Sequence, residues 1–153
     1  MLTRRLAAPL GLALVLGLGP PAQAQSTSLN LEQYRGKVVY LDFWASWCGP
    51  CKLSFPYMQK MVLRYPRNDL VVIAVNVDRS RASADAFLGQ VQNRLPVVYD
   101  PTAAVAKTFA IKAMPSSVLI GRDGRVRYVH QGFFLDKAPT YEAHISELLN
   151  EKP

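Results

Sequence analysis

Two cysteines separated by two residues, Cys48 and Cys51, are the residues of this sequence best suited to chemistry, and they are its only cysteines. Two intervening residues at the start of a helix allow two sulfurs to come within bonding distance. The helix dipole and free N–H groups stabilise a thiolate at the first position. A thiol one turn further in can attack a mixed disulfide formed at the first. The spacing therefore predicts a redox pair, with Cys51 more shielded than Cys48 and placed behind it.

Other uses of the cysteine pair have less support. A structural disulfide that closes so short a loop adds little stability. A zinc site needs four ligands, and His130 and His144 are the only histidines, so we predict no metal site. Binding of Cu(I) by the two thiolates, as in a metallochaperone, stays an alternative because soft sulfur ligands suit that ion.

The segments on either side of the pair have clear patterns. Val38–Trp44 and Leu70–Val77 are almost continuously apolar, which is typical of central strands covered on both faces. Between them, Cys51–Tyr65 is predicted to be a helix, bent at Pro56. Its expected buried stripe has a spacing of four residues and consists of Leu53, Tyr57, Met61 and Tyr65.

The rest of the chain alternates between helix and strand patterns. We expect a helix over Ser83–Val91, a strand over Leu95–Tyr99, a helix from Pro101 to about Phe109 capped by Asp100, a hairpin of Val118–Ile120 and Val126–Val129 joined through Asp123-Gly124, and a helix over Pro139–Leu149. This order predicts an α/β fold with a mixed, mainly parallel sheet and helices on both faces.

Composition narrows the class of protein. The 153 residues suit a single domain, and with 50% hydrophobic residues the chain is too apolar to be disordered. The net charge is +7, but the basic residues are scattered and not interleaved with aromatics. We therefore do not expect binding to nucleic acid.

Residues 1–24 have the pattern of a secretory signal peptide. Arg4 and Arg5 precede the apolar stretch Leu6–Leu18, and Ala22-Gln23-Ala24 provides a small-x-small cleavage site. We expect residues 25–153 to form the exported domain, located in the periplasm. The alternative is an uncleaved signal that tethers the protein to the outer face of the membrane, although a spanning helix needs about 20 apolar residues.

The segment Leu41–Lys52, LDFWASWCGPCK, closely resembles the signature of the thioredoxin superfamily. Arg35–Val39, which precedes it, resembles the exported TlpA/ResA-like thiol-disulfide oxidoreductases, and Met114-Pro115 resembles the family's cis-proline loop. The resemblance implies a thioredoxin fold, in which a central mixed sheet is flanked by helices. It also implies an inserted helix-strand pair between the second central strand and Pro115.

The resemblance also assigns roles to the catalytic residues. Cys48 would be the nucleophile and Cys51 the resolving thiol, and Asp42 would be the buried acid that exchanges a proton with Cys51 through water. From the residues alone, an acid on an exposed strand face is the alternative for Asp42. Pro115 would follow a cis peptide bond.

The expected substrate groove lies around the pair. The Met114 backbone would bind an extended client segment, with its side chain either touching the sulfurs or filling the core. Trp47, Gly49 and Pro50 would form the rim. Phe133 and Phe134 are expected to pack in the core rather than to form a contact patch.

These features imply an exported reductant of client disulfides, recharged by a membrane dithiol electron donor and needing no cofactor. We expect a monomer. Apocytochrome c and metal-site assembly proteins are candidate clients, but Ser54 stands where many relatives have a Glu, which weakens the cytochrome c assignment. A disulfide-donating oxidase or isomerase of the same fold is the nearest alternative. Of the histidines, His130 is expected to be solvated and His144 to be half-buried.

Overall fold

A computed structural model describes residues 29–152, so the predicted signal peptide at 1–24 lies outside the described residues. The elements are β1 (Val38–Trp44), α1 (Cys51–Arg64), β2 (Leu70–Asn76), α2 (Arg81–Gln90), β3 (Val97–Tyr99), α3 (Ala104–Thr108), β4 (Ser116–Ile120), β5 (Val126–Gln131) and α4 (Ala138–Asn150). Two short 3-10 turns, Glu32–Tyr34 and Leu135–Lys137, flank this set. The predicted order of helices and strands is confirmed.

The strands form one sheet in the order β3-β2-β1-β4-β5. β1 pairs in parallel with β2, and β2 with β3, whereas β1–β4 and β4–β5 are antiparallel. The sheet is therefore mixed, as predicted, but half of its pairings are antiparallel, so it is not mainly parallel. β4 and β5 form the hairpin that Asp123-Gly124 predicted. Every residue of β1 is buried, which explains its continuous apolar pattern.

Helices cover both faces of the sheet. Alternate residues of β1 point to opposite faces. Tyr40 and Trp44 pack with side chains from α1, α2 and α4, in a cluster that includes both cysteines. Leu41 and Phe43 pack on the other face, against α3 and the segment before β1. The redox pair thus lies on the face covered by three helices.

The buried face of α1 agrees with the predicted stripe at Tyr57 and Met61 but not at Leu53. The buried residues are Cys51, Ser54, Phe55, Tyr57, Met58 and Met61. Leu53, expected inside, is 48% exposed. Cys51 faces the core, so Ser54, Phe55 and Met58, which lie three, four and seven positions later, are on the same face of the helix. Leu53 is not on that face and therefore points towards solvent. The helix continues through Pro56, and a bend there stays a prediction.

Asp100 caps α3 from a greater distance than predicted. The helix begins at Ala104 rather than Pro101, and Ala103 precedes it in the left-handed conformation, with φ of 55°. The buried Asp100 carboxylate accepts hydrogen bonds from the N–H groups of Ala104, at 2.7 Å, and Ala106, at 3.0 Å. Asp100 therefore accepts hydrogen bonds from N–H groups in the first turn of α3, as predicted for a cap. A turn lies between them, however, so the helix begins three residues later than predicted.

Three elements, α2, β3 and α3, separate β2 from Pro115. β3 adds to the sheet as an edge strand beside β2. That a helix and strand of this region are an insertion relative to a smaller family member stays a prediction. Within residues 29–152, no helix combines the length and apolar composition needed to cross a membrane.

Candidate redox site

Cys48 and Cys51 form a disulfide, with their Cα atoms 5.4 Å apart. The pair lies where the turn after β1 leads into α1. Cys48 is 4% exposed, whereas Cys51 is completely buried. A sulfur of another protein can therefore approach Cys48 first, and Cys51 lies behind it. This is the arrangement that the spacing predicted.

The redox pair lies at the first turn of α1. The N–H groups of Cys51, Lys52 and Leu53 donate to the carbonyl oxygens of residues 48, 49 and 50, at 3.0 to 3.2 Å. Cys48 thus lies just before the positive end of the helix dipole, which favours a thiolate at that sulfur once the disulfide is reduced.

Asp42 is buried, with only 1% of its surface exposed, on the sheet face that carries the pair. The alternative of an acid on an exposed strand face is therefore wrong. Burial raises the pKa of Asp42 to about 8, and a hydrogen bond from Ser54 opposes this shift. At pH 7 the carboxyl group of the oxidised protein consequently holds a proton most of the time.

Ser54 connects Asp42 to the main chain of the resolving cysteine. Its Oγ lies 3.2 Å from Oδ2 of Asp42 and 3.1 Å from the carbonyl oxygen of Cys51. Ser54 is completely buried. The sequence marked this position as a departure from the family pattern, but it did not reveal the contact with Asp42.

The Met114-Pro115 peptide bond is cis, as the resemblance implied. Pro115 is buried, and its carbonyl oxygen accepts a hydrogen bond of 2.8 Å from the N–H of Gly132. Met114 is partly buried and packs against the apolar clusters of both faces, one of which contains the cysteines. Its side chain therefore fills space between the two clusters, which supports the core-packing alternative.

The predicted rim residues surround the buried Cys48 on the surface. Trp47 is 70% exposed, and Gly49 and Pro50 are also exposed. Phe134, which the sequence placed in the core, is 50% exposed, whereas Phe133 is buried as expected. The Phe134 ring lies over Gly132, within 2.8 Å of where a Cβ atom would stand there. That places an exposed ring beside the Pro115 loop.

Asp78 holds the turn that carries Cys48, a role that sequence reasoning missed. Its Oδ2 accepts hydrogen bonds of 2.8 Å from the Ser46 N–H and the Asn76 side chain, and its Oδ1 accepts one of 2.9 Å from the Ser46 hydroxyl. Asp78 follows β2, and Ser46 follows the neighbouring parallel strand β1. Such strand ends meet at one edge of a sheet, a signal that could have predicted this contact.

His130 was predicted to be solvated, but it is partly buried and hydrogen-bonded at both ring nitrogens. Its Nδ1 lies 3.0 Å from the Ser117 hydroxyl, and its Nε2 lies 2.9 Å from Nδ1 of His144. Burial, together with the neighbouring His144, lowers the pKa of His130 to about 4. His144 is half-buried, as expected. The contact depends on how β5 pairs with β4 and on how α4 packs, which no local pattern reveals.

Comparison with known proteins agrees with this geometry. Residues 19–145 match the family model described as Redoxin. The chain belongs to the redoxin family. A thiol-disulfide oxidoreductase ResA of Bacillus thuringiensis is 31% identical over 102 residues, which cover 67% of this chain and 59% of that protein. The match thus spans less than two thirds of the length of this relative.

Solved structures of redoxin-like proteins show the same fold. A protein described as thiol:disulfide interchange protein DsbE, from Chlorobium tepidum, is 42% identical, with a TM-score of 0.75 and coverage of 78% of this chain and 85% of that one. The exposed lipoprotein thioredoxin Etrx1 of Streptococcus pneumoniae is 29% identical, with a TM-score of 0.68 and coverage of 77% and 90%. The predicted thioredoxin-like fold is therefore confirmed.

Proposed function

We propose that this redoxin is a thiol-disulfide oxidoreductase that reduces disulfide bonds of client proteins. The observation that carries the proposal is the disulfide between Cys48, which keeps some exposure, and the fully buried Cys51, whose carbonyl is linked through Ser54 to the buried acid Asp42. The names of the ResA and DsbE relatives support the same activity.

In the proposed reaction, the Cys48 thiolate attacks one sulfur of a client disulfide. A bond forms between Cys48 and that sulfur, and the second client sulfur leaves as a thiolate that takes up a proton. Cys51 then gives its proton to the ionised Asp42 and attacks the Sγ atom of Cys48. The client leaves with both sulfurs reduced, and the protein retains the two-electron oxidation as its own disulfide.

A trapping experiment tests this order of events. Cys51→Ser leaves the nucleophile but removes the resolving thiol, so mixed disulfides with clients should accumulate. Cys48→Ser is the matched control and should trap nothing. In an insulin-reduction assay, the wild-type protein should turn over, and either variant should be inactive. Trapping through Cys51 with Cys48 replaced would reverse the assigned roles.

The direction of electron flow is proposed to be reducing. The Gly49-Pro50 dipeptide and Asp42 make the site similar to that of thioredoxin. A reduction potential near that of thioredoxin, about −270 mV, is the expected result. A potential near that of DsbA, about −120 mV, would instead support the disulfide-donating oxidase or isomerase.

The proposed client groove runs along the Met114 backbone, with Trp47, Gly49 and Pro50 at its rim. An extended client segment could pair with that backbone, as peptides do in β-augmentation. The exposed Trp47 and the exposed Phe134 beside the Pro115 loop offer apolar contact on both sides. Trp47→Ala should raise KM for a protein disulfide more than for a small aromatic disulfide.

A Cu(I) metallochaperone is the alternative from another functional class. Within residues 29–152, no three side chains of His, Cys, Asp or Glu gather as a possible metal-ligand set. Titration of the reduced protein with Cu(I), with Cys48→Ser as control, distinguishes the two functions. Tight stoichiometric binding without insulin reduction would favour the metallochaperone.

We further propose export to the periplasm, with residues 1–24 as a cleaved signal peptide and residues 25–153 as the mature domain. A membrane dithiol protein would then return electrons to the Cys48–Cys51 disulfide. Mass spectrometry of the mature N-terminus in a cell fraction tests the cleavage. Retention of residues 1–24 in a membrane fraction would favour the tethered form. Sedimentation should show a monomer.

A further inference from the structure

A row of polar side chains crosses the sheet next to the redox pair. Asp42 on β1 lies directly opposite Ser117 on β4, and Ser117 lies directly opposite His130 on β5. Residues paired in this way project from the same face of an antiparallel sheet. The row therefore lies on the face that carries both cysteines, across three adjacent strands.

Hydrogen bonds connect Ser117 to His130 within this row and continue from His130 to His144. The Ser117 hydroxyl contacts Nδ1 of His130 at 3.0 Å, and Nε2 of His130 contacts Nδ1 of His144 at 2.9 Å. His144 lies on α4 and is partly exposed. The chain of three polar groups thus leads from the cross-strand neighbour of Asp42 to the surface.

Tyr40, which is also on β1, lies beside Asp42 and Ser117. Burial raises the pKa of Tyr40 well above its usual value, the charge of Asp42 raises it further, and a hydrogen bond with Ser117 lowers it. Directly opposed residues have Cβ atoms about 4.5–5.5 Å apart. Asp42 and Ser117 therefore need at most one hydroxyl between them to exchange a proton. The Tyr40 phenol, which is hydrogen-bonded to Ser117 and feels the charge of Asp42, can supply it.

Asp42 has almost no direct access to solvent, and a client joined to Cys48 would leave it less. Asp42 is 1% exposed, and Cys51 and Ser54 are completely buried. The remaining exposure at the pair belongs to Cys48, which a client covers in the mixed disulfide. With a pKa of about 8, Asp42 holds a proton at pH 7 and must lose it before it can accept the one from Cys51.

We propose that Ser117, His130 and His144 form a proton route between Asp42 and solvent that works while a client covers Cys48. The inference rests on the proposed function, since it concerns the resolution step of that reaction. The three residues act through Asp42 and do not touch the client.

In this transfer each residue of the route releases one proton as it accepts another, so none of them becomes charged. Ser117 passes its hydroxyl proton to Nδ1 of His130 as it receives the proton from Asp42, directly or through Tyr40. His130 passes the proton on Nε2 to Nδ1 of His144, and His144 releases the proton on Nε2 to solvent. One proton leaves Asp42, and one reaches solvent.

The rings around the two histidines hold them in place for this transfer. The Tyr128 ring stacks on His144 with centroids 3.8 Å apart, and the Tyr141 ring contacts His130 at 4.7 Å. The Tyr128 hydroxyl donates to Glu147, at 2.7 Å, and so does not interrupt the chain. Burial keeps His130 neutral at pH 7, which leaves one nitrogen to accept and one to donate.

The test separates attack by Cys48 from resolution by Cys51. Reduced protein is mixed with excess insulin at low buffer concentration and quenched with acid, and the mixed disulfide is measured by intact mass. In His144→Ala, the mixed disulfide should form at the wild-type rate. Its rate of decay should fall by roughly tenfold or more, because positioned proton-transfer groups accelerate a reaction by at least that factor.

Imidazole distinguishes proton transfer from a structural effect. Added imidazole should restore the decay rate of His144→Ala in proportion to its concentration. His144→Phe keeps a ring stacked on Tyr128 and should be equally slow but insensitive to imidazole. Tyr128→Phe, which keeps the ring and removes the hydroxyl, is the matched control and should behave as wild type.

Wild-type decay rates in both His144 variants would overturn the inference, and so would a slow His144→Ala that imidazole does not restore. Failure of the proposed function has a different signature, because the wild-type protein itself would then form no mixed disulfide with insulin.

Discussion

The Oγ atom of Ser54 lies 3.2 Å from Oδ2 of Asp42 and 3.1 Å from the carbonyl oxygen of Cys51. A hydroxyl group has one hydrogen, so Ser54 can donate to only one of these two oxygens at a time. When Asp42 is ionised, Ser54 donates to it. When Asp42 is protonated, the carboxyl group donates to Ser54, and Ser54 is free to donate to Cys51.

Ser54→Ala should therefore raise the pKa of Asp42 above its present value of about 8. The ionised carboxylate loses its hydrogen-bond donor, whereas burial is unchanged. We expect a rise of about one unit, since a hydrogen bond to a charged group contributes about 1.5–3 kcal/mol. An NMR titration of the Asp42 carboxyl carbon in the oxidised protein measures it.

Ser54→Thr is the matched control for this prediction, because it keeps the hydroxyl. The resolution rate of the Ala variant should reach its plateau at higher pH than that of the Thr variant. Identical titrations of Asp42 in the two variants would show that the hydroxyl does not act on the carboxylate.

Asp42→Asn should change how stability depends on pH. In the folded protein the pKa of Asp42 is about 8, against an ordinary value of 3.8. Between these two values the folded state holds the proton and the unfolded state does not, so the free energy of unfolding falls as pH rises. Above pH 8 the full penalty of a buried charge is present, on the order of several kcal/mol.

Asparagine does not titrate, so the variant lacks this slope. Urea unfolding of the oxidised proteins at about pH 5, 7, 9 and 10 should show the stability of the variant rising relative to the wild type up to about pH 8 and no further. A difference between the two proteins that stays constant with pH would mean that Asp42 has an ordinary pKa.

The parts of the molecule that depend on local patterns could be predicted from the sequence. The apolar runs of β1 and β2 are local patterns, and the predicted strand bounds are confirmed within a residue. The cysteine spacing is also local, and the predicted pairing of Cys48 with Cys51 is confirmed. The buried stripe of α1 was predicted only in part, because the apolar residues of the helix fit two stripes. Tyr57 and Met61 are buried as expected, but Leu53 is exposed. Only the inward position of Cys51 selects between the two stripes.

The polar contacts of the site could not be predicted in the same way. The pairing of Ser117 with His130 depends on the hairpin register, and the contact with His144 depends on the rotation of α4. Periodicity places residues on a face but does not say which polar atoms meet there. The exposure of Phe134 likewise follows from Gly132, whose φ of 78° turns the chain after β5.

Asp78→Ala should loosen the turn that carries Cys48. The change leaves the Ser46 N–H, the Ser46 hydroxyl and the Asn76 amide without their acceptor. We expect a loss of about 2–3 kcal/mol in the free energy of unfolding, because partly buried donors are left unsatisfied. Ser46→Ala, which loses only one of the three bonds, should cost about 1 kcal/mol. Equal losses in urea unfolding would argue against Asp78 as the centre of the network.

Gly132→Ala should affect the Pro115 loop through two separable causes. The φ of 78° is unfavourable for alanine, by about 1 kcal/mol. The new Cβ atom would also stand 2.8 Å from the Phe134 ring, which must move. Because the Gly132 N–H donates to the Pro115 carbonyl, backbone adjustment at Gly132 should also slow insulin reduction.

A double-mutant cycle with Phe134→Ala separates the two causes. If the ring contact matters, Gly132→Ala should cost less stability in the Phe134→Ala background than in the wild type, and the remaining cost should be that of the backbone. Urea unfolding of the four proteins measures the coupling. Additive losses would show that Phe134 moves aside freely, so that it forms a mobile apolar contact beside the Pro115 loop rather than a fixed one.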